Sequence, residues 1–202
     1  MLSREGRPTL RYEQQKATRE RLLKAAFDVF SEKGYHLSTI KEMVDRAGTS
    51  RATFYLHFKT KAEALVAGWK EIQQPKMIVL WEELDNIASP AFDDIRAWIE
   101  KMLDSWEADR RLTIASNQAV ALEPELAGEW LAGMREYLGA VPRCLERMAK
   151  HRREAEMNFL LLCAQMDRVV FLWLSGAFPA SREQIIDALA DQWAKGLQIK
   201  KR

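Results

Sequence analysis

The chain has 202 residues, 48% of them hydrophobic and 30% charged, enough to bury one substantial core and a small second one, which excludes a largely disordered protein. The formal net charge of +2 hides an uneven distribution: residues 1–62 carry 13 basic against 7 acidic side chains, and the remainder 18 against 22. A polyanion partner is therefore expected at the N-terminal end, and a uniformly basic coat protein is excluded.

Arg4, Arg7 and Arg11 stand in a Gly- and Pro-containing opening that reads as a mobile arm. It lacks the apolar segment of a secretory signal, so a cytoplasmic protein is expected. Leu22, Leu23, Ala26, Phe27 and Phe30 form the apolar stripe of a helix ending near Gly34. Thr39 with Glu42 is a capping box; Ile40, Met43, Val44 and Ala47 then share one helical face, and Gly48 supplies a left-handed end. Ser50 can cap a second short helix in which Phe54 and Phe58 face inward, leaving Arg51, Thr53, Tyr55 and His57 on the remaining surface. Thr60 and Glu63 repeat the capping box, so a further helix starts at about Lys61, carries Leu65, Trp69 and Ile72, and ends at Pro75. Two short helices about a glycine turn make a helix-turn-helix unit, whose second helix enters the major groove of DNA.

These residues resemble the tetracycline-repressor-like (TetR) family of transcriptional regulators. The match runs through Phe30 to Tyr35, Thr39, Ala47 to Ser50, and the specific cluster Phe54-Tyr55-Leu56-His57-Phe58-Lys59-Thr60-Lys61, within residues 18–70. Val44 is bulkier than the alanine usual in the family. The resemblance implies that Thr39, Tyr55, His57 and Lys61 touch phosphates, while Thr49, Ser50, Arg51 and Thr53 lie nearest the bases, Arg51 being suited to guanine. A structural reading stands beside each: Thr39 is a sound N-cap without DNA, and Tyr55 can be a half-buried aromatic with a solvated hydroxyl.

Beyond residue 75 glycine and proline are few and strand-like alternation is absent. Helices are expected at 76–87, 90–107 behind Ser89-Pro90, 110–121, 124–150 with a bend near Pro142, 153–175, and 182–197 behind the capping box of Ser181 and Gln184. The fold class is all-α: a three-helix helix-turn-helix domain over residues 1–60, then a larger helical ligand-binding and dimerisation domain over 61–202. The apolar segment Met157 to Phe178 is interrupted by Gln165, Asp167 and Arg168, and so reads as a core helix rather than a membrane span. Cys144 and Cys163 are expected to be buried, reduced thiols.

The family resemblance also implies that the last two long helices make a homodimer, with Phe171, Leu174, Ile186, Leu189 and Trp193 at the interface. It implies a small-molecule cavity as well, for which Trp81, Met102, Trp106, Asn117, Met134 and Met166 are the candidate lining; the competing reading is solid core. The expected function is a sequence-specific DNA-binding regulator acting as a repressor released from a near-palindromic operator by a small apolar or aromatic ligand. The helix from Lys61 serves as lever, and no metal or cofactor is called for. The alternative is a helical small-molecule or protein-binding module without DNA binding. Catalysis is not expected: hydrolase, phosphate-loop and dinucleotide motifs are absent, and His36, His57 and His151 are scattered.

Overall fold

A computed structural model describes residues 10–199. The described residues form eleven α-helices and no strand: α1 Leu10–Leu37, α2 Ile40–Ala47, α3 Arg51–His57, α4 Lys61–Gly68, α5 Gln74–Asp85, α6 Phe92–Ala108, α7 Arg110–Leu122, α8 Glu125–Glu136, α9 Pro142–Met148, α10 Arg152–Leu174 and α11 Arg182–Gly196. Arg4 and Arg7 lie outside the described residues, whereas Arg11 is an exposed residue of α1 rather than part of an arm.

The local signals act as the sequence requires. Thr39 Oγ1 accepts the Glu42 amide at 3.3 Å while the Glu42 carboxylate accepts the Thr39 amide at 3.1 Å. Gly48 ends α2 at φ 62°, where its own amide and that of Thr49 close on the last carbonyls of the helix. Ser50 caps α3 and Thr60 caps α4 through the amides of Thr53 and Glu63. Beneath them Phe54 and Phe58 are buried, with ring centroids 5.4 Å apart.

Three expected boundaries differ. Pro75 does not end the helix from Lys61, because the turn Trp69–Gln73 is a π-turn in which the Gln74 amide reaches back to the Trp69 carbonyl. Proline has no amide to donate and its ring clashes with the carbonyl four residues earlier; a widened turn just before it removes both conflicts, and the helix runs on as α5. Pro142 breaks the chain into α8 and α9 rather than bending one helix, a 3₁₀ turn filling the gap. Helix α6 starts at Phe92, where the Asp94 carboxylate accepts the Ala91 amide at 2.8 Å, two residues beyond Pro90.

Two apolar clusters result. The head comprises α1 to α4, and its core of Leu22, Phe30, Met43, Phe54 and Leu65 is continuous with Leu112, Ala115 and Ala119 of α7 and Leu126 of α8. Helices α1 and α4 approach so closely at Gly68 that a Cβ there would lie 2.2 Å from the Phe27 ring. The second cluster joins α5, α6, α9, α10 and α11 around Trp81, whose ring centroid is 4.8 Å from Trp98, 5.0 Å from Phe159 and 5.3 Å from Trp193. By length and composition α10 is apolar enough to cross a membrane, its interrupting polar residues notwithstanding. It packs against α6, α7, α8, α9 and α11. Cys144 and Cys163 are buried free thiols, and burial pushes the Cys144 thiol up to about 12 and that of Cys163 well above its ordinary value.

Four of the five residues expected at a dimer interface belong to the protomer's own core. Leu174, Ile186, Leu189 and Trp193 are 3%, 0%, 3% and 1% exposed, so they have no surface left for a partner, and that assignment is corrected. Their helical spacing reports that a face is covered, not by which chain. Phe171 is half-buried beneath the Arg168 guanidinium.

Candidate nucleic-acid interface and ligand cavity

The capping of α2 and α3 fixes the angle at which α3 stands on the head, and the two phenylalanines orient its opposite side outward. On that side Arg51 is exposed and Tyr55 retains 55% of its surface, its ring edge-on to Phe54. Ser50 is exposed and Thr53 half-buried, and their hydroxyls are 2.9 Å apart, so the cap already engages both. Thr49 is half-buried and Thr39 exposed at the neighbouring helix start. Leu56, 83% exposed beside Tyr55, was not singled out by its sequence context. An apolar side chain on a reading helix can meet a thymine methyl, and its position between Tyr55 and His57 was the available signal.

His57 is half-buried, and burial together with the nearby Arg19 holds its imidazole below the ordinary histidine value. It is therefore neutral at physiological pH and offers a ring N–H rather than a cation. Arg19 itself lies 4.5 Å over the Phe58 ring, pairs with Glu71 and donates to the His57 carbonyl at 3.3 Å, tying α1, α3 and the π-turn together.

Lys61 departs from the expected geometry. Its ammonium donates to the carbonyls of Tyr35 at 2.8 Å, Ser38 at 3.1 Å and His36 at 3.4 Å and lies 4.3 Å over the Tyr35 ring. It thus ties down the short turn that follows Gly34, the non-helical residue at which α1 breaks, and shares the Tyr35 carbonyl with the Ser38 amide. Burial lowers its pKa, and Glu123 opposes that shift.

The turn that Lys61 ties down is also held from α7. Gln118 Oε1 accepts the Tyr35 amide at 3.1 Å, the Tyr35 hydroxyl donates to Glu123, and Gly34, at φ 76°, holds a conformation that side chains disfavour, a Cβ there standing 2.7 Å from Gln118 Oε1 and requiring that side-chain amide to move. Burial, followed by the Glu123 bond, raises the Tyr35 hydroxyl well above its usual range.

The opposite face of α7 forms a wall of a cavity of about 390 Å³ between α5, α6, α8 and α10. All six residues chosen from the sequence lie along it: Trp81, Met102, Trp106, Asn117, Met134 and Met166. Asn117 is turned partly to its own helix, donating to the Thr113 carbonyl at 3.2 Å. Gln118, its neighbour, faces the head instead. Trp130 lines it too, as do Trp69, Tyr137 and Asp167, which were not among the residues expected there. Trp69 donates its indole N–H to Ser116 of α7 at 3.0 Å, and Gln73 donates to Asp109 at 3.0 Å, so the segment joining α4 to α5 is fastened along the same wall. Asp167 had only one signal in the sequence, an acid inside an apolar helix; burial pushes its carboxyl up to about 6, against the opposing effects of Arg168 and a hydrogen bond from Trp130.

A capped reading helix on a three-helix head, joined through one shared helix to a larger helical domain with an apolar cavity, defines the class of two-domain helix-turn-helix transcription regulators. Residues 22–67 match the family described as "Bacterial regulatory proteins, tetR family", and over about nine tenths of its length the chain shares the fold of solved TetR regulators. It is 28% identical over 184 residues to the transcriptional activator FasR of Mycolicibacterium smegmatis, covering 84% of this chain and 78% of FasR. It superposes on GusR of Salmonella enterica with a TM-score of 0.67 at 21% identity, covering 90% and 95% of the two chains. The FadR repressor of Thermus thermophilus, solved in complex with lauroyl-CoA, gives 0.64 at 15% identity, covering 91% and 97%.

Proposed function

We propose that the protein is a cytoplasmic, ligand-responsive regulator that binds a near-palindromic operator as a homodimer and is released when a small apolar or aromatic molecule fills its cavity. The observation that carries this reading is the double duty of α7. Thr113, Ser116, Asn117 and Val120 line the cavity, while Ala115, Gln118, Ala119 and Glu123 grip the head. A ligand that displaces α7 necessarily moves the turn after Gly34, and with it Lys61 and the start of α4. Ligand and DNA then favour different settings of the head, which gives a coupling on the order of 1–3 kcal/mol. The lauroyl-CoA held by the Thermus relative supports an effector cavity in this domain.

On the DNA side, Thr39, Tyr55 and the neutral imidazole of His57 are assigned to phosphates, Arg51, Thr53 and Leu56 to base edges, and Thr49 and Ser50 to the start of the reading helix between them. Two such heads in a twofold dimer fit successive major grooves about 34–36 Å apart. The partner is assigned to the outer face of α10, where Met157 is 57% and Leu161 60% exposed.

Selection from random duplex DNA with the purified chain tests the function. An enriched inverted repeat, weakened in Arg51→Ala at one base position of each half-site, is the expected result. No enrichment at low salt would favour a ligand- or protein-binding module without DNA.

A further inference from the structure

We propose that the cavity selects a lipophilic cation, a protonated amine on an apolar or aromatic body, which pairs with the Asp167 carboxylate inside an aromatic wall. The inference rests on the reading of this cavity as the effector site and deepens it to a chemical class.

Asp167 is the one acid of the apolar stretch Phe159–Leu174 of α10, and it lines the cavity. Among the described residues no basic side chain reaches it within 4.0 Å. The two cations on the same lining are committed elsewhere: Lys70 pairs with Glu129 at 2.7 Å, and the Arg168 guanidinium lies 5.3 Å over the Phe171 ring. Of the remaining acids, Asp109 accepts the Gln73 amide and Glu129 is the partner of Lys70. Tyr137 and Cys163, the other titratable neighbours, are both raised by burial and neutral at physiological pH. The lining charges therefore leave one carboxylate without an ion-pair partner, in surroundings that disfavour it, with the charge of neighbouring Arg168 and the Trp130 N–H as the opposing influences.

A ligand meeting this site gains most if it brings a positive hydrogen-bond donor. A charge-assisted bond to a withdrawn carboxylate is about twice as strong as a neutral one, and the faces of Trp69, Trp81, Trp106 and Trp130 attract a cation by their quadrupoles. A fatty carboxylate places like charge against Asp167. An acyl thioester offers an uncharged chain that leaves the carboxylate unpaired.

Calorimetric titration of the full chain at pH 7.5 with decylamine, decanol, decanoate and lauroyl-CoA tests this. Decylamine is expected to bind at least about tenfold more tightly than decanol, with decanoate weakest. The amine-to-alcohol ratio should fall about tenfold in Asp167→Asn and be retained in Asp167→Glu. In the unaltered protein it should collapse at pH 5, where the carboxyl has taken up its proton; that measurement needs no variant to fold. Equal binding of amine and alcohol, or tighter binding of lauroyl-CoA than of the amine, overturns the proposal and leaves the cavity as an effector site. Failure of all four to bind overturns both.

Discussion

Replacing Lys61 by alanine separates two roles that the same side chain could fill. The ammonium holds three carbonyls of the turn after Gly34, from Tyr35, His36 and Ser38, at 2.8–3.4 Å. Hydrogen bonds from a charged donor contribute about 1.5–3 kcal/mol each when fully formed, but this group is half-exposed and water can replace part of the set. A loss of about 2–3 kcal/mol follows for Lys61→Ala, which for a chain of this size lowers Tm by roughly 4–12 °C. The DNA measurement gives the complementary result. Each phosphate contact removed flattens the plot of log affinity against log salt by about 0.9. With its ammonium occupied by carbonyls, Lys61→Ala should weaken binding through a loosened head while leaving that slope unchanged. Scanning calorimetry and fluorescence anisotropy between 50 and 200 mM salt, roughly the range over which such slopes develop, measure the two effects. A slope flattened by about 0.9 per protomer with an unaltered Tm would refute the tethering role and return the side chain to the DNA backbone.

Leu161→Arg, on the outer face of α10, should turn the dimer into a monomer in sedimentation equilibrium and abolish cooperative operator binding while leaving Tm at low protein concentration nearly unchanged; a persistent dimer would move the interface elsewhere. Asp167 makes a pH-dependent contribution whose sign is set by burial. Its folded value of about 6 lies above the ordinary 3.8, so the native state holds the proton more tightly, and stability is lost as pH rises from about 4 through 6. The full penalty, about 2 kcal/mol once solvent reaching the cavity is allowed for, is present at pH 7.5. Urea melts should therefore find Asp167→Asn more stable than the parent at pH 7.5, with the difference closing towards pH 4.5; a difference independent of pH would contradict the assignment.

The head was legible because its signals are local. Thr39 with Glu42, Gly48, Ser50 with Thr53, and Thr60 with Glu63 each act within four residues, so their spacing contains their geometry. The fold of the larger domain was legible from apolar periodicity, which also drew attention to large side chains that lie along the cavity. Pairing through space was not legible. Nothing near Lys61 in the chain announces carbonyls 23–26 residues upstream, and nothing near Gln118 announces the Tyr35 amide. The stripe of Ile186, Leu189 and Trp193 could not tell a partner subunit from α5, α6 and α10. Pro75 misled because its effect depends on the turn before it, and a π-turn leaves no mark in composition.

That π-turn makes the α4–α5 rod a helix with a built-in dislocation, one surplus residue between two regular stretches. As in a crystal, such a defect can be annealed by subtraction: excising a single position from 69–73 leaves the flanking stretches in rotational phase, whereas adding one doubles the fault. Deletion alone would draw Pro75 back into a regular turn that cannot hold it, so it becomes the gentler lesion only when Pro75 is replaced as well.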